Sequence, residues 1–153
     1  MTKLIHRKGD IFTTNARAVG HGVNLRGVMG AGIAAQFAKR FPDMLPGYRH
    51  ACGSGELYLG SLMSWEVPSA WGQSFYVLNI ATQIDPGANA DYKAVFEGVA
   101  QAVGWCSWMK FDTLALPRIG SGIGGLDEGI VESILLYHAQ RTDVDIELWT
   151  YKP

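Results

Sequence analysis

The sequence predicts an α/β fold, a three-layer α/β/α arrangement around a central mixed sheet, and three observations carry that prediction. Short β-rich apolar runs alternate with amphipathic helical segments along the chain. Two glycine clusters, GVMGAGIA at 27–34 and IGSGIGG at 119–125, each follow such a run and open a helix. Neither internal repeats nor a linker interrupts the pattern. In open α/β sheets ligands bind at the carboxyl ends of the strands, where both clusters would fall.

Taken in order, Leu4 and Ile5 open a short strand closed at the turn pair Gly9-Asp10. Ala16 to Val23 is a second apolar run. From Gly30 to Phe41, residues Ile33, Phe37 and Phe41 recur at helical spacing with Ala34 and Ala38 beside them. Lys39 and Arg40 favour the last turn of that helix, and Pro42 stops it. Met44 to Ala51 reads as a second short helix. Leu57–Val67 and Phe75–Ala81 read as strands separated by a Ser/Pro/Gly loop. Asp91 caps a long helix through Met109, whose Val95, Val99, Ala102 and Val103 share a face. Thr113–Leu116 is a buried strand, Leu126–Arg141 a last helix and Val144–Tyr151 a closing strand.

Bulk properties narrow the function. The 153 residues fit one domain spanning 1–153, long enough to bury a core without staples. A formal charge of −1 with 18% charged residues excludes the strong positive field of a protein that relies on nucleic-acid backbone contacts. Cys52 and Cys106 are isolated, with no CxxC or Cys/His cluster, and read as buried or idle thiols. His6, His50 and His138 are scattered over different elements, so no metal site is expected. The opening MTKLIHRKGDIF turns polar after two apolar residues, and no run approaches the roughly 18 apolar residues of a membrane span. A cytoplasmic protein with no membrane partner is expected.

Glycines let backbone N–H groups approach phosphate oxygens, and a helix N-terminus adds about half a positive charge. For one cluster alone, a simple turn or close helix packing explains the glycines equally well. The second strand–glycine–helix unit favours a shared phosphate-bearing ligand. Neither cluster contains GK[ST], which argues against triphosphatase chemistry. Gly120, Gly122 and Gly125 match GxGxxG formally, but one helix and one strand follow instead of a βαβ core, which argues against a dinucleotide enzyme.

With their neighbours, the clusters resemble the macrodomain family. The matching pieces are KGDIF at 8–12, GHGVN at 20–24, GVMGAGIAAQFAKRFP at 27–42, GELYLG at 55–60, LNIATQ at 78–83 and LPRIGSGIGGLD at 116–127. The MGAGIA form is similar to the branch holding the terminal ADP-ribose protein glycohydrolase, the DNA ADP-ribosyl-glycohydrolase antitoxins and the yeast-type ADP-ribose 1″-phosphate phosphatase. The resemblance implies an α/β/α macrodomain that binds ADP-ribose or a derivative, with ADP-ribosylated protein or nucleic acid as further partners. It implies Asp10 against the adenine amino group with Ile11 beside it, and Asn24 on the distal ribose; without it, Asp10 reads as a turn or helix-capping aspartate and Asn24 as a local turn former. It lays Gly30, Ala31, Gly32 and Ile33 along the diphosphate, and closes Ser121, Gly122, Ile123 and Gly124 over the diphosphate and distal ribose. No cofactor is implied.

The same resemblance leaves catalysis open. The terminal glycohydrolase type has a lysine and an aspartate where this chain has Gln83 and Gly124. Restoring both, with Gln83→Lys and Gly124→Asp, is expected to show whether those groups alone are missing. His21 is similar in place to a histidine of the yeast-type phosphatase, for which a catalytic role is proposed. It reads either as a general base or as a core histidine bonded to its surroundings. On that ground the phosphatase reaction is expected first, an ADP-ribosyl hydrolase second, and a non-catalytic reader is the alternative. Asp127 reads as a helix cap and Asp85 as part of the DPG turn. Arg118 reads as a surface or structural pair, and Trp65, Trp71, Tyr76 and Tyr92 as packing groups that could also stack on a base.

Overall fold

Alternation along β2 (Ala18–Val23) divides the molecule into two cores. Ala18 faces one core with Leu78, Ile80, Leu114 and Leu116, while Val19 and Val23 face the other with Phe37, Met44 and Tyr48. The computed structural model describes residues 4–69 and 72–151, so Trp71 lies outside the described residues.

The remaining strands are β1 (Leu4–Lys8), β3 (Leu62–Val67), β4 (Phe75–Ala81), β5 (Thr113–Leu116) and β6 (Asp145–Thr150). They form one sheet in the order β1-β6-β5-β2-β4-β3. All neighbours are parallel except β3, which runs antiparallel to β4. Helices α3 (Tyr92–Met109) and α4 (Glu128–Ala139) pack on one face through Val95, Val99, Val131 and Leu135. Helices α1 (Gly32–Arg40) and α2 (Met44–Ser54) pack on the other through Phe37, Met44 and Tyr48. The result is the expected three-layer α/β/α arrangement with a mixed sheet.

Several boundaries move for local reasons. Helix α1 starts at Gly32, not Gly30, because Ala31 is extended at φ −148°, ψ 160°. Strand β3 starts at Leu62, not Leu57, because residues 58–61 close a turn in which the Ser61 hydroxyl accepts from Tyr58 N at 2.8 Å. Helix α2 continues to Ser54 and ends at a left-handed Gly55. Asp127 caps α4, its Oδ1 accepting from Ile130 N at 3.0 Å, so that helix begins at Glu128. An unexpected 3₁₀ turn, Ile11–Thr13, follows β1.

Helix α3 crosses β4 at Gly98, where a Cβ would run into Cγ2 of Ile80. Gly98→Ala is therefore expected to lower stability by about 1–2 kcal/mol, the overpacking cost exceeding alanine's better helix propensity. Urea unfolding checks this through a lower midpoint at unchanged slope.

Candidate functional site

Strands β2 and β5 are neighbours, yet β2 leads to α1 on one face of the sheet and β5 to α4 on the other. Such a switch leaves a crevice at the strands' carboxyl ends. A cavity of about 700 Å³ occupies it. The segments that line it leave β1 at Gly9–Ile11, β2 at Gly22–Asn24, β4 at Thr82 and Gln83, β5 at Pro117–Gly120 and β6 at Trp149–Tyr151.

One wall is the start of α1. Gly30, Ala31, Gly32 and Ile33 all line the cavity, and Ala31 supplies no side-chain cap. The first-turn N–H groups of a helix lack intrahelical partners, so an uncapped start offers donors and a partial positive charge. Gly32 has φ +59°, and a Cβ there would lie 3.0 Å from Cδ1 of Ile123. The second glycine loop thus meets the first across the cavity. Gly122, Ile123 and Gly124 line it, whereas Ser121 does not. The Ser121 hydroxyl is turned inward, buried without a partner, so its expected part in the closing loop falls to its neighbours.

Asp10 caps the 3₁₀ turn, Oδ1 accepting from Phe12 N at 2.9 Å. Its Oδ2 lies 3.7 Å from Nη2 of Arg40, and both side chains are about half exposed. Asp10 and the buried Ile11 line the cavity at the same end as Trp149 and Tyr151. Sequence reasoning missed those two aromatics. The signal was available in the closing alternation, which places Trp149 and Tyr151 at the carboxyl edge of the last strand.

Asn24 reaches the cavity with its side chain already engaged. Its Nδ2 donates to Val28 O at 2.8 Å, its Oδ1 accepts from Arg26 N at 2.9 Å, and its backbone carbonyl accepts from Tyr48 Oη at 2.6 Å. It is the turn former that shapes residues 24–28. Gln83 lines the cavity too, but Nε2 donates to Asp85 O at 2.6 Å and Gly87 O at 3.0 Å, holding that loop closed. Asp85 pairs with Arg26 at 2.7 Å.

His21 requires a correction, because it does not line the cavity. It is fully buried on the α1 side of β2, stacked on Phe37 with ring centroids 3.9 Å apart. Its Nε2 lies 2.6 Å from Asn79 Oδ1. Because Asn79 Nδ2 donates to Met63 O at 3.3 Å, Oδ1 accepts and Nε2 carries the proton. Burial pushes the His21 pKa down to about 4, against the raising effect of the Asn79 bond. A neutral imidazole sealed beneath α1 cannot exchange protons with a bound ligand, and the general-base role is withdrawn.

Charged lining residues are Asp10, Arg118 and Glu128. Arg118 Nη1 is 3.5 Å from Glu132 and 4.0 Å from Glu128, and Nε donates to Thr150 Oγ1 at 3.1 Å, so it is a structural pair at the rim. Tyr76 packs edge-on to Trp105, Trp65 packs against the α1–α2 core, and Tyr92 Oη accepts from Asp127 N. Cys106 is buried and Cys52 half-buried, both as free thiols. Among the described residues, no group of three His, Cys, Asp or Glu could hold a metal ion. No helix there is long and apolar enough to cross a membrane.

Comparison with known proteins agrees with this geometry. A family model described as Macro domain matches residues 21–135. A DNA ADP-ribosyl glycohydrolase of Mycobacterium tuberculosis is 28% identical over 95% of this chain. The chain spans about two-fifths of that curated relative's length, 42%. The solved macrodomain of Mycobacterium tuberculosis DarG superposes with TM-score 0.89 at 29% identity, covering 97% of this chain and 98% of that one. An ADP-ribose 1″-phosphate phosphatase of Meyerozyma guilliermondii is 42% identical, but over only 34% of this chain and 31% of its own length.

Proposed function

This chain belongs to the Macro domain family, and on that premise we propose that its cavity binds ADP-ribose and ADP-ribosyl derivatives. The observation that carries the reading is the pair of glycine loops facing each other across the cavity. The uncapped start of α1 lies on one side and Gly122–Gly124 on the other. A diphosphate fits between them, because backbone donors hold its oxygens without requiring a cationic side chain. Asp10 then lies at the ring end, where the carboxylate oxygen not used in its cap accepts from an exocyclic amine. Asn24 acts by shaping the turn beside the distal ribose, since both polar ends of its amide and its backbone carbonyl are occupied within the protein.

Calorimetry tests the reading. Saturable 1:1 binding of ADP-ribose is expected, weakened roughly tenfold or more by Asp10→Ala. Asp10→Asn retains a capping oxygen and separates loss of the cap from loss of the amine contact. No heat of binding at millimolar ligand overturns the proposal.

A second reading is hydrolysis of the bond at the 1″ position, favoured by the similarity to a DNA ADP-ribosyl glycohydrolase over nearly the whole chain. Among the described lining residues there is no lysine, histidine or cysteine, so the cavity holds no amine, imidazole or thiol nucleophile. Glycosidic turnover would use water, whose oxygen bonds C1″ as the C1″–substituent bond breaks and whose proton passes to the departing group. The chain would contribute position and the field of the α1 N-terminus. Glycosidic cleavage now ranks ahead of phosphate release, because the phosphatase similarity is confined to a short stretch and His21 is out of reach. Assays on thymidine-linked DNA ADP-ribose, glutamate-linked protein ADP-ribose and ADP-ribose 1″-phosphate distinguish the reactions. Background rates on all three leave recognition as the function.

A further inference from the structure

We propose that Glu147 is a positioning residue for the ring end of the cavity, a role that rests on the ADP-ribose reading above. Glu147 lies on β6 and does not line the cavity; it is 8% exposed. Its Oε1 accepts from Thr14 Oγ1 at 2.6 Å and from Trp149 Nε1 at 2.9 Å. Its Oε2 lies 3.4 Å from Arg7 Nε on β1. A carboxylate accepts only, and three donors from three segments converge on this one.

Two of those segments, the 3₁₀ turn and β6, line the cavity. Thr14 ends the 3₁₀ turn whose Asp10 and Ile11 line it, and the Thr14 hydroxyl also accepts from Ala16 N at 3.1 Å. Trp149 forms the facing wall, two residues along the same side of β6. An indole has two free side-chain torsions, and backbone position alone does not fix its plane. The bond from Nε1 to Glu147 fixes it, while the bond from Thr14 fixes the spacing of the turn from the ring. The same oxygen therefore sets both the flat surface offered to a purine and the place from which Asp10 reads the purine's edge. Replacing the carboxylate by a neutral amide weakens the acceptor shared by the Trp149 N–H and the Thr14 O–H and sets an N–H₂ against Arg7, which loosens the tether between the two walls.

The test is Glu147→Gln, nearly isosteric, measured by calorimetry with ADP-ribose and with inosine diphosphate ribose, which replaces the amino group by a carbonyl. Wild-type protein is expected to prefer ADP-ribose. Glu147→Gln is expected to weaken ADP-ribose roughly tenfold and to bring the two affinities toward each other. The Trp149 indole N–H resonance, assigned with Trp149→Phe, is expected to move upfield as its acceptor loses charge. In a Trp149→Phe background, Glu147→Gln is expected to cost less than it does alone, because part of its effect passes through that N–H.

A Glu147→Gln protein that melts at a lower temperature yet keeps both its affinity and its preference overturns the proposal, as does strict additivity in the double variant. Should Glu147→Gln not fold, Thr14→Val removes one donor to the same oxygen and is held to the same outcomes. Wild-type protein that binds neither ligand overturns the ADP-ribose reading itself, and is told apart from failure at Glu147 alone by that wild-type measurement.

Discussion

Gly124→Asp is expected to weaken ligand binding roughly a hundredfold, alone or with Gln83→Lys, rather than to restore a lysine–aspartate pair. A Cβ at position 124 would lie 2.6 Å from Gly120 O and 2.9 Å from Cβ of Ala90. Neither neighbour can yield cheaply. Gly120 O accepts from Leu126 N at 3.0 Å, and Ala90 N donates to Gly124 O at 3.1 Å. Both bonds tie the second glycine loop to its surroundings, so any side chain at 124 must displace the loop from its present position. The expected loss is roughly a hundredfold in ADP-ribose affinity, about 3 kcal/mol, with little change in the sheet and its cores. Calorimetry with Gly124→Ala separates the steric effect from the charge: alanine alone is expected to account for most of the loss. The packing of Ala90 and Gly120 O around position 124 leaves no room for an aspartate, and substituting both positions is not expected to regenerate the other site.

The second large effect is acid sensitivity at His21. Its folded pKa is about 4 against an ordinary 6.5, so between those values the unfolded chain binds a proton that the folded protein refuses. Stability from this group is fully present above pH 6.5 and is lost as pH falls toward 4. The loss amounts to about 3 kcal/mol for a fully buried ring, the scale of the shift at 1.36 kcal/mol per unit. Nδ1 is buried without a partner, so protonation would add an uncompensated N–H as well as a charge. Urea unfolding at pH 7.5 and 4.5 is expected to show that loss in the wild type. His21→Gln, which keeps a polar contact near Asn79 and does not titrate, is expected to show less of it. Carboxylates titrate in both proteins and cancel in the comparison. The same variant is expected to bind ADP-ribose unchanged at neutral pH, since His21 touches nothing in the cavity.

The elements most legible in the sequence were those with a single buried face. The spacing of Phe37 with Ile33 located α1, and Val95, Val99, Ala102 and Val103 located α3, because a helix packed on a sheet shows its core as a stripe. Asp91 and Asp127 were readable as caps because each precedes an apolar run, and each accepts from the first turn of its helix. The glycine loops were readable as backbone donors, and both reach the cavity.

What escaped depended on contacts between distant segments. Strand β2 is buried on both faces, so apolar alternation does not tell which face His21 takes; the packing of α1 decides it. The closing alternation puts Trp149 and Tyr151 at the carboxyl edge of β6, but that this edge borders the cavity follows from the place of β6 between β1 and β5, which local patterning does not encode. Asn24 read as a ribose contact or a local turn former, and the choice rests on its bonds to Val28 O and Arg26 N in the turn after β2 and on the Tyr48 hydroxyl from α2. Ser121 looked like a loop donor until the turn that contains it rotated the hydroxyl inward.

In the proposed complex one diphosphate is held by backbone N–H groups of both glycine loops. Amide ¹H–¹⁵N NMR during titration with ADP-ribose tests it most directly, residue by residue. The largest saturable shifts are expected at Gly32, Ile33, Gly122, Ile123 and Gly124, moving with one common dissociation constant and with the His21–Asn79 core unchanged. Shifts confined to one loop, shifts elsewhere on the surface, or no saturable change at millimolar ligand would contradict it.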